Sequence, residues 1–176
     1  MREHKSLFDG IDKITVLIYL ALVLIGWISI YAAVYQEDHS SIFDISQNYG
    51  KQLIWIAIAL FLAMIIILID IKFFPAFSYL IYAVVILLLI AVLFKGAVVA
   101  GSKSWFQIGG FALQPAELAK YATCLALARA LSSDFFDMKT LKGKAIAFAI
   151  IGLPAILILL QNDTGSALVF SAFLIT

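Results

Sequence analysis

Six apolar runs separated by short polar stretches set the organisation of this chain. The first, residues 14–34, holds 21 residues and no charge, and at about 1.5 Å of rise per residue it is long enough for the roughly 30 Å hydrocarbon core of a bilayer. A polar loop over 35–51 follows, carrying Glu37, Asp38 and Asp44, and a second apolar run fills 52–69. Asp70, Ile71 and Lys72 close it, and this tight link predicts a helical hairpin with the third run, which starts around Pro75 and reaches Phe94. Proline is tolerated there because the first turn of a helix has no use for its missing N–H. Residues 96–114 are glycine-rich, polar and aromatic, too polar to cross and too short for a domain, and they read as an ordered loop. A fourth helix is predicted from Pro115 to about Leu131 although it carries Glu117, Lys120 and Arg129. After a polar loop over 132–144, a fifth span covers 145–160, interrupted by Gly152 and Pro154. The sixth run, 166–176, has 11 residues and would reach about half-way across a bilayer. The fold class predicted is all-α, a polytopic transmembrane bundle forming one membrane domain over 1–176.

Composition agrees with this and removes most other classes. Hydrophobic residues make up 64% of the 176 residues and charged ones only 13%, against about 45–50% and about 25% in ordinary soluble domains. A soluble domain of this size would lack the polar surface it needs. The net charge of +1 gives no basic footprint for nucleic acid. Cys124 has no partner for an internal disulfide, and His4 and His39 have no metal-ligand spacing. The first apolar run is too long for a cleavable signal and has no small-residue cleavage pattern after it, so it is expected to remain as an anchor. Lysine and arginine divide unequally between the two sides of this topology, eight with the N-terminus and four opposite. The positive-inside rule then predicts a cytoplasmic N-terminus.

Polar residues at membrane depth are expensive and are functional candidates by default. Three clusters fall on the predicted outer side: Gly101-Ser102-Lys103-Ser104-Trp105, Gln114-Pro115-Ala116-Glu117-Leu118-Ala119-Lys120, and Gln161-Asn162-Asp163-Thr164-Gly165-Ser166. Glu117 and Lys120, one helical turn apart, are expected to pair on a face turned to a cavity and so lower the cost of burying either. Their pairing is equally compatible with a purely structural role. Asp163 stands where an aspartate caps a helix N-terminus, and taken alone capping is its better-supported role. Lys103 beside Trp105 could meet an anionic phosphate with the indole at headgroup level, although an interfacial anchor is the commoner use of such a pair. Lys51 and Gln52 are adequately explained by snorkelling at the start of the second helix.

The three clusters, in this order and spacing, resemble the G-[AS]-x-R-W, Q-P-[SA]-E-[LIF]-x-K and Q-P-D-x-G-[ST] series of the SEDS family, that of RodA and FtsW. The segment Gly26-Trp27-Ile28-Ser29-Ile30-Tyr31-Ala32-Ala33 and Gly50-Lys51-Gln52 resemble the RodA branch more than the FtsW branch. The resemblance implies a ten-helix fold of which this chain supplies the first five helices and part of the sixth. It implies a glycosyltransferase that polymerises lipid-linked disaccharide-pentapeptide into peptidoglycan outside the bacterial cytoplasmic membrane, for cell elongation and shape, with a class B penicillin-binding protein as partner. The implied substrate-binding residues are Lys103, Trp105, Gln114, Lys120 and Asp163, with Glu117, Lys120 and Asp163 as supporting cavity residues. The family's essential aspartate lies on an outer loop beyond the seventh helix and has no counterpart here, so these residues alone are expected to be inactive. No cofactor is required, and a divalent cation is compatible with the chemistry. Two departures stand out: Ser104 replaces the usual arginine, removing a bidentate phosphate binder, and Asn162 replaces the proline before the aspartate. Two other functions fit the same residues, a lipid-precursor flippase whose path is marked by Gly152 and Pro154, and a non-catalytic scaffold for a penicillin-binding protein.

Overall fold

Each apolar run becomes a helix because the backbone of a lipid-embedded segment must satisfy its own N–H and C=O groups. The computed structural model describes residues 12–34, 42–108, 111–133 and 136–175. The helices are α1 (Lys13–Val34), α2 (Asn48–Leu68), α3 (Phe73–Lys95), α4 (Pro115–Leu131), α5 (Leu141–Leu160) and α6 (Thr164–Val169), the last continued by a 3₁₀ helix over Phe170–Leu174. The sequence reading placed all six, with ends off by up to four residues where polar residues extend a helix beyond its apolar run. The 35–51 loop is described only from residue 42 onward, and His4 and His39 lie outside the described residues. Among the described residues, four helices, α1, α2, α3 and α5, are long and apolar enough to cross a membrane.

The chain divides into two units, residues 1–70 and 71–176. In the first, Asp12 begins α1 by accepting from the Thr15 hydroxyl at 2.6 Å and from the Ile14 N–H at 3.0 Å. These bonds hold its carboxyl below the ordinary aspartate value. Trp27 Nε1 donates to the Tyr49 carbonyl at 3.0 Å. Tyr31 meets the Tyr49 ring edge-on with centroids 5.1 Å apart. Gly50 lets the chain before α2 pack against the first turn of that helix: a Cβ there would lie 2.1 Å from the Asp44 carbonyl oxygen.

In the second unit, α3, α4 and α5 pack around a core of Val85, Leu89, Ala116, Ala119, Ala122, Ile151 and Ile158, joined by Ala167 and Phe170. The buried positions of α4 include Ala116, Ala119, Ala122, Ala126 and Ala130, a stripe of small side chains that lets neighbouring backbones approach closely. With 17 residues, α4 is shorter than the usual span. It nevertheless connects the end of α3 with the start of α5, and its charges lie toward its two ends.

Two expectations change. The described residues between Gly96 and Gln114 form a three-stranded antiparallel sheet, not a loop: β1 (Ala97–Val99), β2 (Ser102–Ile108) and β3 (Phe111–Leu113), in the order β1-β2-β3. The β1–β2 turn is two residues long, Ala100 at φ 50° and Gly101 at φ 85°, the positive-φ pair that suits the right-handed twist of a hairpin. The all-α reading therefore holds for the bundle but misses this sheet. The second change concerns α5, which continues through Gly152 and Pro154 to Leu160. Pro154 has no N–H for the carbonyl four residues back, that of Ile150. The Tyr82 hydroxyl of α3 donates to that carbonyl at 2.9 Å. The proline is thus a packing device between α3 and α5.

Tyr82→Phe should cost about 1–3 kcal/mol by stranding the Ile150 carbonyl. In a Pro154→Ala background the restored N–H should recover at least half of that loss. Thermal unfolding of the four proteins in one detergent checks this. Equal losses in both backgrounds would contradict it.

Candidate functional site

The three polar clusters meet where α3 ends, α4 begins and α5 turns into α6. The turn itself is built by the end of α5. Asn162 N–H donates to the Leu159 carbonyl at 3.0 Å and Asp163 N–H to the Ile158 carbonyl at 3.3 Å, with Asn162 at φ 58°. This is the Schellman pattern, which needs a residue tolerant of left-handed backbone and a free N–H. Proline supplies neither. The departure Asn162 is therefore explained locally: it ends α5 in a way the proline of the family motif cannot.

Gln161, fully buried, joins three elements. Its carbonyl accepts from the Lys103 N–H at 2.9 Å and lies 3.1 Å from the Ser102 hydroxyl. Its side-chain Nε2 donates to the Leu89 carbonyl of α3 at 3.1 Å. The Ser102 hydroxyl also lies 2.8 Å from Ser104 Oγ, and Ser104 is buried. At position 104 this chain thus places a small hydroxyl inside the corner, where arginine would present a guanidinium. Gln161 Oε1 and Thr123 Oγ1 are buried without a partner among the described residues.

Asp163 takes the capping role expected of it, its Oδ1 accepting from the Ser166 N–H at 3.1 Å. Its other oxygen, Oδ2, accepts from Gln114 Nε2 at 2.8 Å. Gln114 occupies the N-cap position of α4 but makes no side-chain cap there, because its amide is turned to Asp163. One charge-assisted bond therefore ties the entry of α4 to the entry of α6.

The lysines are placed differently. Lys103 Nζ donates to the Phe94 carbonyl at 3.2 Å, so the ammonium sits at the negative end of α3 with two donors left for other acceptors. Trp105 lies opposite Ala97 on β2 and is half-buried. Lys120 and Glu117 pair at 2.8 Å through both carboxylate oxygens. The pairing agrees with the sequence reading; the burial expected for it is not found, since Glu117 is exposed and Lys120 half-buried. The reason is the alanine stripe, which claims the inward face of α4 and leaves the charged face opposite. Stranding one partner then costs far less than in a buried pair. Among the described residues the pair makes no bond to Lys103, Trp105 or Asp163. Sequence reasoning missed Gln161 and Ser102 as the joint of the site; the available signal was the unmet carbonyls at the end of α5, which some donor had to meet.

If the Gln114–Asp163 bond holds α4 to α6, Gln114→Ala and Asp163→Ala should be non-additive by about 1–3 kcal/mol. A double-mutant cycle on unfolding midpoints measures this. Simple additivity would mean that the two side chains act independently.

Comparison with known proteins shows what shares this arrangement. The family profile described as "Cell cycle protein", covering FtsW, RodA and SpoVE, matches residues 12–176. Peptidoglycan glycosyltransferase RodA of Treponema pallidum (strain Nichols) is 38% identical over 160 residues, 90% of this chain and 36% of that protein. Peptidoglycan glycosyltransferase MrdB of Escherichia coli (strain K12) is 29% identical over 168 residues, 94% of this chain and 43% of that protein. The crystal structure of the rod shape determining protein RodA of Thermus thermophilus superposes with a TM-score of 0.79 at 27% identity, covering 92% of this chain and 50% of that one. A chain from a structure described as a peptidoglycan synthase complex gives a TM-score of 0.78 at 28% identity, covering 92% of this chain and 45% of its own length. The chain thus spans half or less of the proteins it matches. A profile match that runs from the start of α1 through the last residue, together with the helical membrane bundle common to these structures, makes this chain a member of the SEDS family of FtsW, RodA and SpoVE.

Proposed function

We propose that the protein polymerises lipid-linked disaccharide-pentapeptide into peptidoglycan for cell elongation and shape. It would work in the bacterial cytoplasmic membrane, with its N-terminus in the cytoplasm and a class B penicillin-binding protein as partner. The observation that carries this reading is the joining of the three family motifs at one corner: Lys103 and Ser102 on Gln161, and Gln114 on Asp163. Relatives matched along almost this entire chain carry the name peptidoglycan glycosyltransferase.

The reaction transfers a glycan from undecaprenyl pyrophosphate. The acceptor hydroxyl attacks the anomeric carbon, the glycosidic C–O bond to pyrophosphate breaks, and the hydroxyl proton passes to a base. Negative charge grows on the departing pyrophosphate, and cations aimed at it are the main contribution such a site can make. Lys103 has two donors left after Phe94, and Lys120 is held by Glu117 on the exposed face of α4. Asp163 has both oxygens engaged, one by Ser166 and one by Gln114, which suits a positioning role better than proton transfer. The base would then come from residues outside this segment. The reading requires no cofactor of the protein's own, and a divalent cation accompanying the pyrophosphate is compatible with it. A carrier is less well supported than an enzyme, since α5 runs continuously through Gly152 and Pro154, where the sequence suggested a break, and Tyr82 meets the carbonyl that Pro154 leaves open.

The test is glycan synthesis by the full-length protein containing this segment, purified with its partner and supplied with lipid-linked precursor in vesicles free of other polymerases. Polymer is expected, with Lys120→Gln lowering the rate about 10²-fold or more if it meets the leaving group. Translocation without polymer would establish the carrier. Full activity after Lys103→Gln and Lys120→Gln together would remove both from the site.

A further inference from the structure

At the end of the second unit opposite the motif corner, α3 begins, α4 ends and α5 begins. Because α3 and α5 are membrane spans by length and composition, their starts lie near a membrane–water boundary. A cleft of about 260 Å³ opens there, lined by Phe74 and Pro75 of α3 and by Leu125, Ala128, Arg129 and Ser132 around the end of α4. Its walls are apolar except at the rim. Arg129 is exposed and forms no ion pair among the described residues.

Lysines outnumber acidic residues between the end of α4 and the first turn of α5. Lys139, Lys142 and Lys144 are all exposed at this end, and none has a side-chain partner among the described residues. Asp137, the acidic neighbour, is used locally: its Oδ1 accepts from the Lys139 N–H at 2.8 Å. Lys142 and Lys144 lie in the opening turns of α5, which has no acidic residue in its first turn. Cations there face the positive end of the helix dipole, an arrangement that costs stability unless an anion offsets it. The Thr140 hydroxyl caps this terminus by accepting from the Gly143 N–H at 3.0 Å, but it brings no negative charge.

We propose that this cleft binds an anionic phospholipid of the bilayer, the phosphate on Arg129 and an acyl chain along Phe74, Pro75, Leu125 and Ala128. The chemistry is complementary in both parts. A guanidinium at the boundary can hold two phosphate oxygens at once, and basic pockets between membrane helices favour acidic headgroups. Lys139, Lys142 and Lys144 extend the positive field toward the same headgroup, and a zwitterionic lipid would gain much less from it. The site is separate from the glycan chemistry and would tie the protein's behaviour to the acidic lipid content of its leaflet.

The experiment titrates the purified protein in detergent with dioleoylphosphatidylglycerol or dioleoylphosphatidylcholine and counts bound lipids by native mass spectrometry. Phosphatidylglycerol should bind more tightly than phosphatidylcholine. Arg129→Gln should weaken phosphatidylglycerol about five-fold and leave phosphatidylcholine unchanged. Leu125→Trp, which fills the cleft and keeps the charge, should weaken both. Both cleft variants are compared at matched monodispersity and melting temperature, so a misfolded variant is replaced by Arg129→Lys, which should retain most of the binding. Equal binding of the two lipids, or unchanged phosphatidylglycerol binding in folded Arg129→Gln and Leu125→Trp, would overturn the proposal. So would displacement of the lipid by millimolar inorganic phosphate, because the acyl cleft would then contribute nothing.

Discussion

The carbonyl of Gln161 is where this structure is held together. It belongs to the end of a membrane helix, where the last carbonyls have no partner within the helix and lipid offers none. The chain meets that need with the Lys103 N–H and the Ser102 hydroxyl of a β-hairpin, and the same residue's side chain reaches α3 through the Leu89 carbonyl. The hairpin is therefore fixed because a helix end requires donors. The candidate site inherits its geometry from that constraint, since Lys103, Gln114 and Asp163 are placed by the elements that Gln161 joins. The same economy recurs in mid-membrane, where Tyr82 serves the carbonyl that Pro154 leaves open.

Much of this was legible in the sequence. Helix spans follow from uncharged apolar runs of membrane length, and α4 begins at Pro115 as read because proline at the first helical position is a strong local signal. The capping role of Asp163 was legible for the same reason, as a local interaction between residues three apart. What was not legible is what depends on partners distant in sequence. The hairpin in residues 97–113 hides in a stretch whose glycines and serines read as loop, and its pairing is short. Gln161 bonds residues 72 and 59 positions away, which periodicity does not encode. The exposure of the Glu117–Lys120 pair followed from the alanines on the other face of α4, a pattern visible in the sequence once the packing face is known.

The two departures from the family motifs carry different weights. Asn162 is accounted for by backbone conformation, since the turn out of α5 uses its N–H and its positive φ. Ser104 is a change of chemistry: a small buried hydroxyl bonded to Ser102 cannot reach a phosphate as arginine can. Of the motif lysines on this side, Lys103 is tethered to the end of α3 and Lys120 to Glu117.

The central claim is that the hairpin is rigid because Gln161 holds it. Hydrogen–deuterium exchange of the protein in detergent addresses this most directly. The account predicts slow exchange across residues 97–108 in the native protein, the Lys103 amide that bonds the Gln161 carbonyl included, and faster exchange there in Ser102→Ala, which loses the hydroxyl at that carbonyl, with α1 unchanged as an internal control. Fast exchange of the hairpin in the native protein, or no difference between it and Ser102→Ala, would contradict the account.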